Sequence, residues 1–322
     1  MYDIIIIGSG PIGLTCGLAA QRAGLSFLIL EKGTLVNSLY NYPATMTFFS
    51  TSEKLEIGNV PFVTTHTKPH RADALEYYRR VAISNNLPMN LFEEVTGITK
   101  TGDKYQINTT KAHYEAKYVV IATGFYDVAV NLNIPGENLP KVKHYYKDPH
   151  FFTLQKVIVV GSSNSAIDVA LETYRKGADV TLVVRGSEIS DRVKYWVRPD
   201  IINRIKEGSI KAYFNSNLKA IRESEADIET PEGLLTIPND FVMAMTGYKP
   251  NFGFLKNMGI TFSADDKFIP HYNAETMETN LPGVYLAGVV CGGMDTHLWF
   301  IENSRIHADM ILKDIVEKEN RR

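Results

Sequence analysis

The sequence predicts an α/β protein with parallel sheets, and three observations support this fold class. Two segments far apart in the chain share one pattern: an apolar strand, a turn of small residues, a helix and a second apolar strand. The strands are apolar at nearly every position, as is typical of strands buried on both faces of a parallel sheet. A glycine, Gly24 or Gly177, follows each predicted helix as a C-terminal stop. Two such βαβ units in 322 residues indicate two nucleotide-binding domains.

The first unit has a strand at residues 3–7, a turn at residues 8–13, a helix to about Ala23 and a strand at residues 26–30. The turn has the pattern G-x-G-x-x-G, whose glycines allow a tight turn, close approach of a pyrophosphate and close packing of helix on strand. The start of the helix offers N–H groups and partial positive charge to the phosphates. Glu31 ends the second strand, where an acid accepts hydrogen bonds from an adenosine ribose. The unit therefore predicts a dinucleotide with a free 2′-hydroxyl, such as FAD.

The second unit has strands at residues 156–160 and 179–184 around a helix that ends at about Lys176. Its turn has one glycine and small residues that still admit a phosphate: Gly161, Ser162, Ser163, Asn164 and Ser165. Arg185 stands where Glu31 stands in the first unit. A guanidinium binds a 2′-phosphate that a carboxylate repels, so Arg185 favours NADPH, and Lys194 is a second candidate contact. A solvated surface charge is the alternative interpretation of both cations.

The other elements are read from shorter patterns. Residues 73–86 are predicted to be helical, and residues 91–121 are predicted to form a small meander of strands. Further buried strands are predicted at residues 119–121, 241–245 and 284–288, and a closing helix is predicted from about Trp299 to Lys318. Aromatic pairs such as Phe48 with Phe49 are expected to pack in cores or between domains.

Composition excludes several functional classes. With 34 basic and 36 acidic residues the formal net charge is −2, which argues against a nucleic-acid binder. No apolar run of roughly 18 residues indicates a membrane span, and the apolar residues 4–7 are too short for a signal peptide. Two distant cysteines, Cys16 and Cys291, exclude a disulfide framework, a CxxC dithiol and a cysteine zinc cluster, and they favour the cytoplasm. The eight histidines show no metal-ligand spacing, so no metal is expected.

Two sites with opposite ribose chemistry imply that electrons pass between two cofactors, and NADPH with FAD is the economical pair. The sequence resembles the two-dinucleotide flavoproteins, which include thioredoxin reductases and flavin monooxygenases. More narrowly, it resembles the YpdA-type bacillithiol disulfide reductases over essentially the whole chain. The segments that carry this resemblance are residues 36–43, 47–52, 55–62, 92–95, 121–126, 164–168, 245–250, 287–289 and 300–303.

The resemblance implies a thioredoxin reductase-like fold, with an FAD-binding domain of residues 1–125 and 248–322 and an NADPH-binding domain of residues 126–247. By resemblance, the FAD pyrophosphate and adenosine are held by Gly8, Ser9, Gly10, Pro11, Ile12, Gly13, Glu31 and Lys32. Further residues are implied near the cofactor or at the domain crossing: Val95 at the adenine, Tyr40, Tyr42 and Thr47 toward the isoalloxazine, Gly288 and Val289 at the flavin, and Ala122, Thr123 and Gly124 at the crossing.

Two positions depart from the patterns of these relatives. Val289 replaces an aspartate that usually contacts the ribityl chain, a feature that the YpdA-type proteins share. Ile12 occupies the place of a cysteine that these proteins carry and that is proposed to be catalytic, and an isoleucine cannot attack a disulfide. Cys16 is expected to be a buried helix residue. Cys291, just after the last strand, is the remaining candidate for a catalytic thiol.

The predicted function is the transfer of a hydride from NADPH through FAD to a disulfide. The alternatives are an NADPH-flavin reductase that supplies a protein such as ferredoxin or flavodoxin, a flavin monooxygenase and a non-enzymatic NADPH sensor. The characteristic monooxygenase fingerprint between the two domains is absent. The sequence leaves open the acceptor and the oligomeric state, including a homo-oligomer, and it predicts neither a nucleic-acid nor a membrane partner.

Overall fold

A computed structural model describes residues 1–321 of the chain. The chain divides into two compact units. The first unit comprises Met1–Val128 and the described chain from Tyr248 onward, and the second unit comprises Ala129–Gly247. The second unit is therefore one continuous segment inserted between the two parts of the first.

The elements are numbered in chain order. The strands are β1 (Tyr2–Ile7), β2 (Phe27–Leu30), β3 (Met89–Asn90), β4 (Val95–Thr101), β5 (Lys104–Thr109), β6 (His113–Ile121), β7 (Val128–Ala129), β8 (Val142–Lys143), β9 (Lys156–Val160), β10 (Asp179–Val183), β11 (Lys211–Tyr213), β12 (Asn217–Ile221), β13 (Glu225–Thr230), β14 (Gly233–Pro238), β15 (Phe241–Ala244), β16 (Tyr248–Lys249) and β17 (Val284–Leu286). The helices are α1 (Pro11–Arg22), α2 (Asn37–Asn41), α3 (Ser52–Leu55), α4 (Arg71–Ser84), α5 (Asn164–Arg175), α6 (Arg198–Lys206), α7 (Phe252–Asn257), α8 (Ile301–Ser304) and α9 (Ile306–Asn320), with 3₁₀ turns at Pro149–Phe152 and Gly288–Gly292.

The sheet of the first unit has the strand order β3-β2-β1-β6-β5-β4. β1 is parallel to both β2 and β6, with Ile4 opposite Phe27 and Tyr118. The edge of β6 that faces away from β1 pairs with two strands. Its first half pairs antiparallel with β5, and its second half pairs parallel with β17. The carboxyl ends of β1, β2, β6 and β17 therefore meet at one edge, where ligands of parallel α/β sheets bind.

Small residues bring α1 close to this sheet. A Cβ atom on Gly13 would lie 1.9 Å from the carbonyl oxygen of Gly8, and one on Gly17 would lie 2.9 Å from Ile29. Ile4, Ile5 and Ile6 of β1 are fully buried, as a strand covered on both faces requires. The glycines thus fix the start of α1 directly above the end of β1.

The second unit has a parallel sheet of order β11-β10-β9-β15-β8 and an antiparallel sheet of order β12-β13-β14. α5 follows β9 as α1 follows β1, so the predicted α/β fold class with parallel sheets is confirmed. The predicted closing helix differs, because the structure interrupts it at Arg305, between α8 and α9. The guanidinium of Arg305 donates to the carbonyl oxygen of Glu56 at 2.6 Å.

The two residues of the aromatic pair Phe48 and Phe49 differ in burial. Phe48 belongs to the core, whereas Phe49 is exposed. Within residues 1–321, no helix has the length and apolarity needed to cross a membrane. The same residues contain no group of three His, Cys, Asp or Glu side chains that would hold a metal ion.

Candidate functional site

The turn after β1 is closely packed at Gly8 and borders open space at Gly10. Gly8 has a φ of +106°, and a Cβ there would lie 2.5 Å from the carbonyl oxygen of Ala122. A Cβ on Gly10, in contrast, would meet nothing within 4 Å. Pro11 begins α1, whose first N–H groups have no acceptor within the helix. The turn thus leaves room above Gly10 for a phosphate beside the positive end of a helix, which fits the predicted pyrophosphate.

Glu31 connects this turn to the end of β2. The residue is only 6% exposed. Its Oε2 accepts hydrogen bonds from the Ser9 backbone N–H at 2.8 Å and the Ser9 hydroxyl at 3.1 Å, and its Oε1 accepts from the Gly33 N–H at 3.0 Å. A carboxylate has about four acceptor positions. Glu31 therefore organises the turn and keeps acceptor capacity for ribose hydroxyls.

The other residues implied at the adenosine and at the domain crossing also lie in the first unit. Lys32 forms an ion pair with Asp127 at 2.8 Å. Val95 is the buried first residue of β4, and its contact with the adenine stays a prediction. Ala122 donates its N–H to the carbonyl oxygen of Ile7 at 2.8 Å, which seats the segment of Thr123 and Gly124 beside the glycine turn.

The loop implied at the isoalloxazine carries three residues in different environments. Tyr40 is 52% exposed. Tyr42 contacts Tyr126 edge to face at 4.7 Å, and burial raises the pKa of Tyr42. The Thr47 hydroxyl lies 3.0 Å from Nδ1 of His70, a contact that the sequence did not reveal. The sequence-predicted contacts of these tyrosines and Thr47 with the flavin stay predictions.

The turn after β17 contains a buried histidine contact. Gly288 has a φ of +85°, and a Cβ there would lie 3.2 Å from the side chain of Ile12. The Gly288 N–H donates to Nδ1 of His307 at 3.1 Å. His307 is buried and its ring meets Trp299 edge to face at 4.5 Å. Burial lowers the pKa of His307 to about 4, so the ring is neutral with its proton on Nε2. Val289, beside this contact, is partly buried.

Cys291 lies near the same histidine, but the pair lacks the features of a reactive dyad. Its Sγ is 3.9 Å from Nδ1 of His307, which already accepts the Gly288 N–H. Burial raises the pKa of Cys291 and lowers that of His307, whereas a thiolate–imidazolium pair needs the opposite shifts. Cys16 is also fully buried in α1, and burial raises its pKa to about 12. Neither thiol of the chain is accessible.

The turn after β9 in the second unit is closely packed at its first glycine, as the turn after β1 is. Gly161 has a φ of +131°, and a Cβ there would lie 2.6 Å from the carbonyl oxygen of Met245. The amide of Asn164 holds a neighbouring loop: its Nδ2 donates to the Arg192 carbonyl at 2.9 Å and its Oδ1 accepts from the Lys194 N–H at 2.9 Å. Ser162, Ser163 and Ser165 lie in this turn or at the start of α5.

The two cations predicted at the 2′-phosphate differ in availability. Arg185 is exposed just after β10, and no carboxylate among residues 1–321 pairs with it. Lys194 is 8% exposed, and its Nζ lies 2.7 Å from Asp168. The ion pair with Asp168 holds the Lys194 ammonium group in place, whereas the Arg185 guanidinium is exposed. The contacts of both cations with a 2′-phosphate stay predictions.

Comparisons with known proteins cover most or nearly all of the chain. A family model described as pyridine nucleotide-disulphide oxidoreductase matches residues 5–288. The chain is 44% identical over 318 residues to Bacilliredoxin reductase Bdr of Bacillus subtilis (strain 168), covering 98% of each chain. It superimposes on the Bacillithiol Disulfide Reductase Bdr (YpdA) from Staphylococcus aureus with a TM-score of 0.96 and 42% identity, covering 99% of each chain. Thioredoxin reductase from Lactococcus lactis, at 22% identity and a TM-score of 0.77 over 98% of each chain, shares the fold.

Proposed function

The chain belongs to the pyridine nucleotide-disulphide oxidoreductase family, and from that premise we propose that it is an FAD-dependent enzyme that uses NADPH to reduce a disulfide of the bacillithiol or bacilliredoxin type. The observation that carries this proposal is the similarity to the two Bdr proteins over nearly the whole of both chains. Both domains of those relatives therefore have a counterpart in this chain. It is also consistent with the resemblance to YpdA-type reductases noted in the sequence.

In this proposal the first unit holds FAD. The turn of Gly8, Gly10 and Gly13 receives the pyrophosphate, because only Gly10 borders open space and the start of α1 attracts anions. Glu31 accepts hydrogen bonds from the ribose with the acceptor capacity that Ser9 and Gly33 leave. The turn of Gly288 and Val289 contacts the flavin.

The second unit binds NADPH in the same proposal. The pyrophosphate lies over residues 161–165, and the exposed guanidinium of Arg185 binds the 2′-phosphate. Bound FAD supplies the two-electron carrier, so that NADPH, one proton and one disulfide give NADP⁺ and two thiols. We place the enzyme in the cytoplasm, where NADPH is available to it.

No protein thiol takes part in the proposed reaction. Ile12 stands where the resembling proteins carry their cysteine, and Cys16 and Cys291 are both fully buried with raised pKa values. A thiolate route needs a lowered pKa and access to the substrate. The disulfide therefore receives its electrons directly at the flavin site.

The absence of an accessible thiol also favours a second candidate function. A reductase that transfers electrons from NADPH through its flavin to a ferredoxin or flavodoxin needs no cysteine at all. Ile12 and the burial of both thiols suit that reaction as well as direct disulfide reduction. The two candidates differ only in the acceptor.

Steady-state oxidation of NADPH separates them. The purified protein is assayed with bacillithiol disulfide, with an oxidised bacilliredoxin, with a ferredoxin or flavodoxin, and with O2 alone. We expect turnover with a disulfide acceptor well above the rate with O2. Fast turnover with ferredoxin or flavodoxin and none with either disulfide would establish the second candidate instead. Oxidation of NADPH that is as fast with O2 alone, with H2O2 as the product, as with any of the other acceptors would reject both.

A further inference from the structure

Phe92 combines an exposed ring with a strained backbone. Its φ is +55°, a region that bulky side chains seldom adopt, and the residue is 63% exposed. Neither feature contributes to a core. Strained residues of this kind persist only where the surrounding structure imposes them, and they cluster where ligands bind.

Backbone hydrogen bonds tie this turn to the segment that follows β2. The Phe92 N–H donates to the carbonyl oxygen of Gly33 at 2.9 Å, and the Glu93 N–H donates to that of Glu31 at 2.8 Å. Glu31 is the proposed ribose ligand. The turn that carries the aromatic ring is thus attached to the segment that holds the proposed ribose ligand.

The buried side chain of Glu93 anchors the turn that contains Phe92. Glu93 is 4% exposed, and its Oε1 accepts hydrogen bonds from the Thr109 hydroxyl at 2.6 Å and from the Tyr114 hydroxyl at 2.9 Å. Asn90 adds a hydrogen bond to the Tyr114 oxygen at 2.8 Å. This network fixes the residue next to Phe92 and so supports the unfavourable φ of Phe92.

The ring of Phe92 is open to a partner. Within the described chain, no aromatic ring stacks on it and no cation lies over its face. A base attached to a ribose at Glu31 would come within reach of such a ring, and bases stack on aromatic side chains with useful affinity. We propose that Phe92 is the stacking platform for the adenine ring of FAD, an inference that rests on the FAD site proposed above.

The test measures ligand affinity and fold stability separately. Apoprotein is titrated with FAD, with FMN, which lacks adenine, and with ADP, which lacks the flavin. Phe92→Gly removes both the ring and the strain. It should weaken FAD and ADP binding by about 10- to 100-fold, leave FMN binding unchanged, and keep or raise the unfolding midpoint of the apoprotein. Phe92→Tyr should bind FAD like the wild type.

Leu154 provides a matched control. It also has a positive φ, +61°, and is 83% exposed, but it lies in the second unit, in a turn distant in sequence from the FAD residues. Leu154→Gly should relieve the same backbone strain without any change in FAD affinity. A loss of FAD affinity in this variant as large as that in Phe92→Gly would overturn the inference.

Three other results distinguish the inference from the function on which it rests. If Phe92→Gly binds FAD as tightly as the wild type, Phe92 is not an adenine platform. If the variant loses FMN and FAD affinity equally, the ring supports the fold and the inference is wrong. If wild-type apoprotein binds no FAD at all, the proposed function itself fails.

Discussion

The backbone N–H of Gly288 donates a hydrogen bond to Nδ1 of His307 at 3.1 Å, in a buried contact that joins the last helix to the turn after β17. Because Nδ1 must accept this bond, only the neutral imidazole supports it. Protonation of His307 would break the bond and place a charge in the core. The position of Gly288 and Val289 therefore depends on a group that titrates.

Stability should fall in mild acid because of His307. Its pKa is lowered from 6.5 to about 4 by burial, so between these values the unfolded chain binds a proton that the folded chain does not. The contribution of His307 to the free energy of unfolding is complete above about pH 6.5. It decreases as the pH falls toward 4, by about 3 kcal/mol in all. Urea unfolding of apoprotein across this range should show a shallower pH dependence for His307→Gln than for the wild type. His150→Gln, at an exposed histidine, should follow the wild type, and equal slopes in all three proteins would contradict the prediction.

Two glycines of the turn after β1 should respond differently to substitution. Gly10→Val should fold, because its side chain enters open space, but it should purify without flavin because that space is needed for the pyrophosphate. Gly13→Ala should fail to fold normally, since its Cβ would lie 1.9 Å from the Gly8 carbonyl oxygen. Circular dichroism and the flavin absorbance of each protein check this. A yellow Gly10→Val protein would contradict the proposed pyrophosphate position.

Arg185 should determine the choice between NADPH and NADH. A charge-assisted hydrogen bond contributes about 1.5–3 kcal/mol, so Arg185→Ala should lower the NADPH to NADH ratio of kcat/KM by about 10- to 100-fold. Stopped-flow reduction of the flavin by each nucleotide measures the effect before any acceptor is involved. Lys176→Ala, which removes another exposed cation of the second unit, should leave the ratio unchanged. A wild type that uses NADH equally well would make Arg185 an ordinary surface charge.

Electron transfer should survive the loss of both cysteines. Cys16 and Cys291 are fully buried with raised pKa values, so both should resist alkylation in the folded protein and react only after denaturation. The variant Cys16→Ser with Cys291→Ser should keep flavin reduction by NADPH, and also turnover with the natural acceptor. Normal flavin reduction with turnover abolished by Cys291→Ser alone would show that Cys291 is the catalytic thiol after all.

The sequence predicted those parts of the molecule that local patterns determine. The strands β1 and β9, the helices α1 and α5 and the terminal residues Glu31 and Arg185 follow from apolar runs, glycines and caps within about 30 residues of each other. These same patterns locate the candidate nucleotide sites at the carboxyl ends of the strands.

Contacts between distant segments could not be predicted in this way. The bond between His307 and Gly288 joins two elements, and no pattern around His307 indicates this partner. The ion pair of Lys194 with Asp168, 26 residues earlier, likewise joins two segments that no local pattern connects. The positive φ of Phe92 depends on hydrogen bonds to Glu31 and Gly33, which no pattern around Phe92 indicates.

The pairing of β17 with β6 has a consequence for synthesis on the ribosome. β6 needs residues beyond the second unit to complete its second edge, because Leu286 lies opposite Ile121. The nascent chain thus presents every residue of the inserted unit, ending at Gly247, before the first unit can close its sheet. Domains commonly fold in the order of their synthesis, but here the amino-terminal unit is completed last, and its half-paired strand β6 is the segment that a chaperone would need to shield in the meantime.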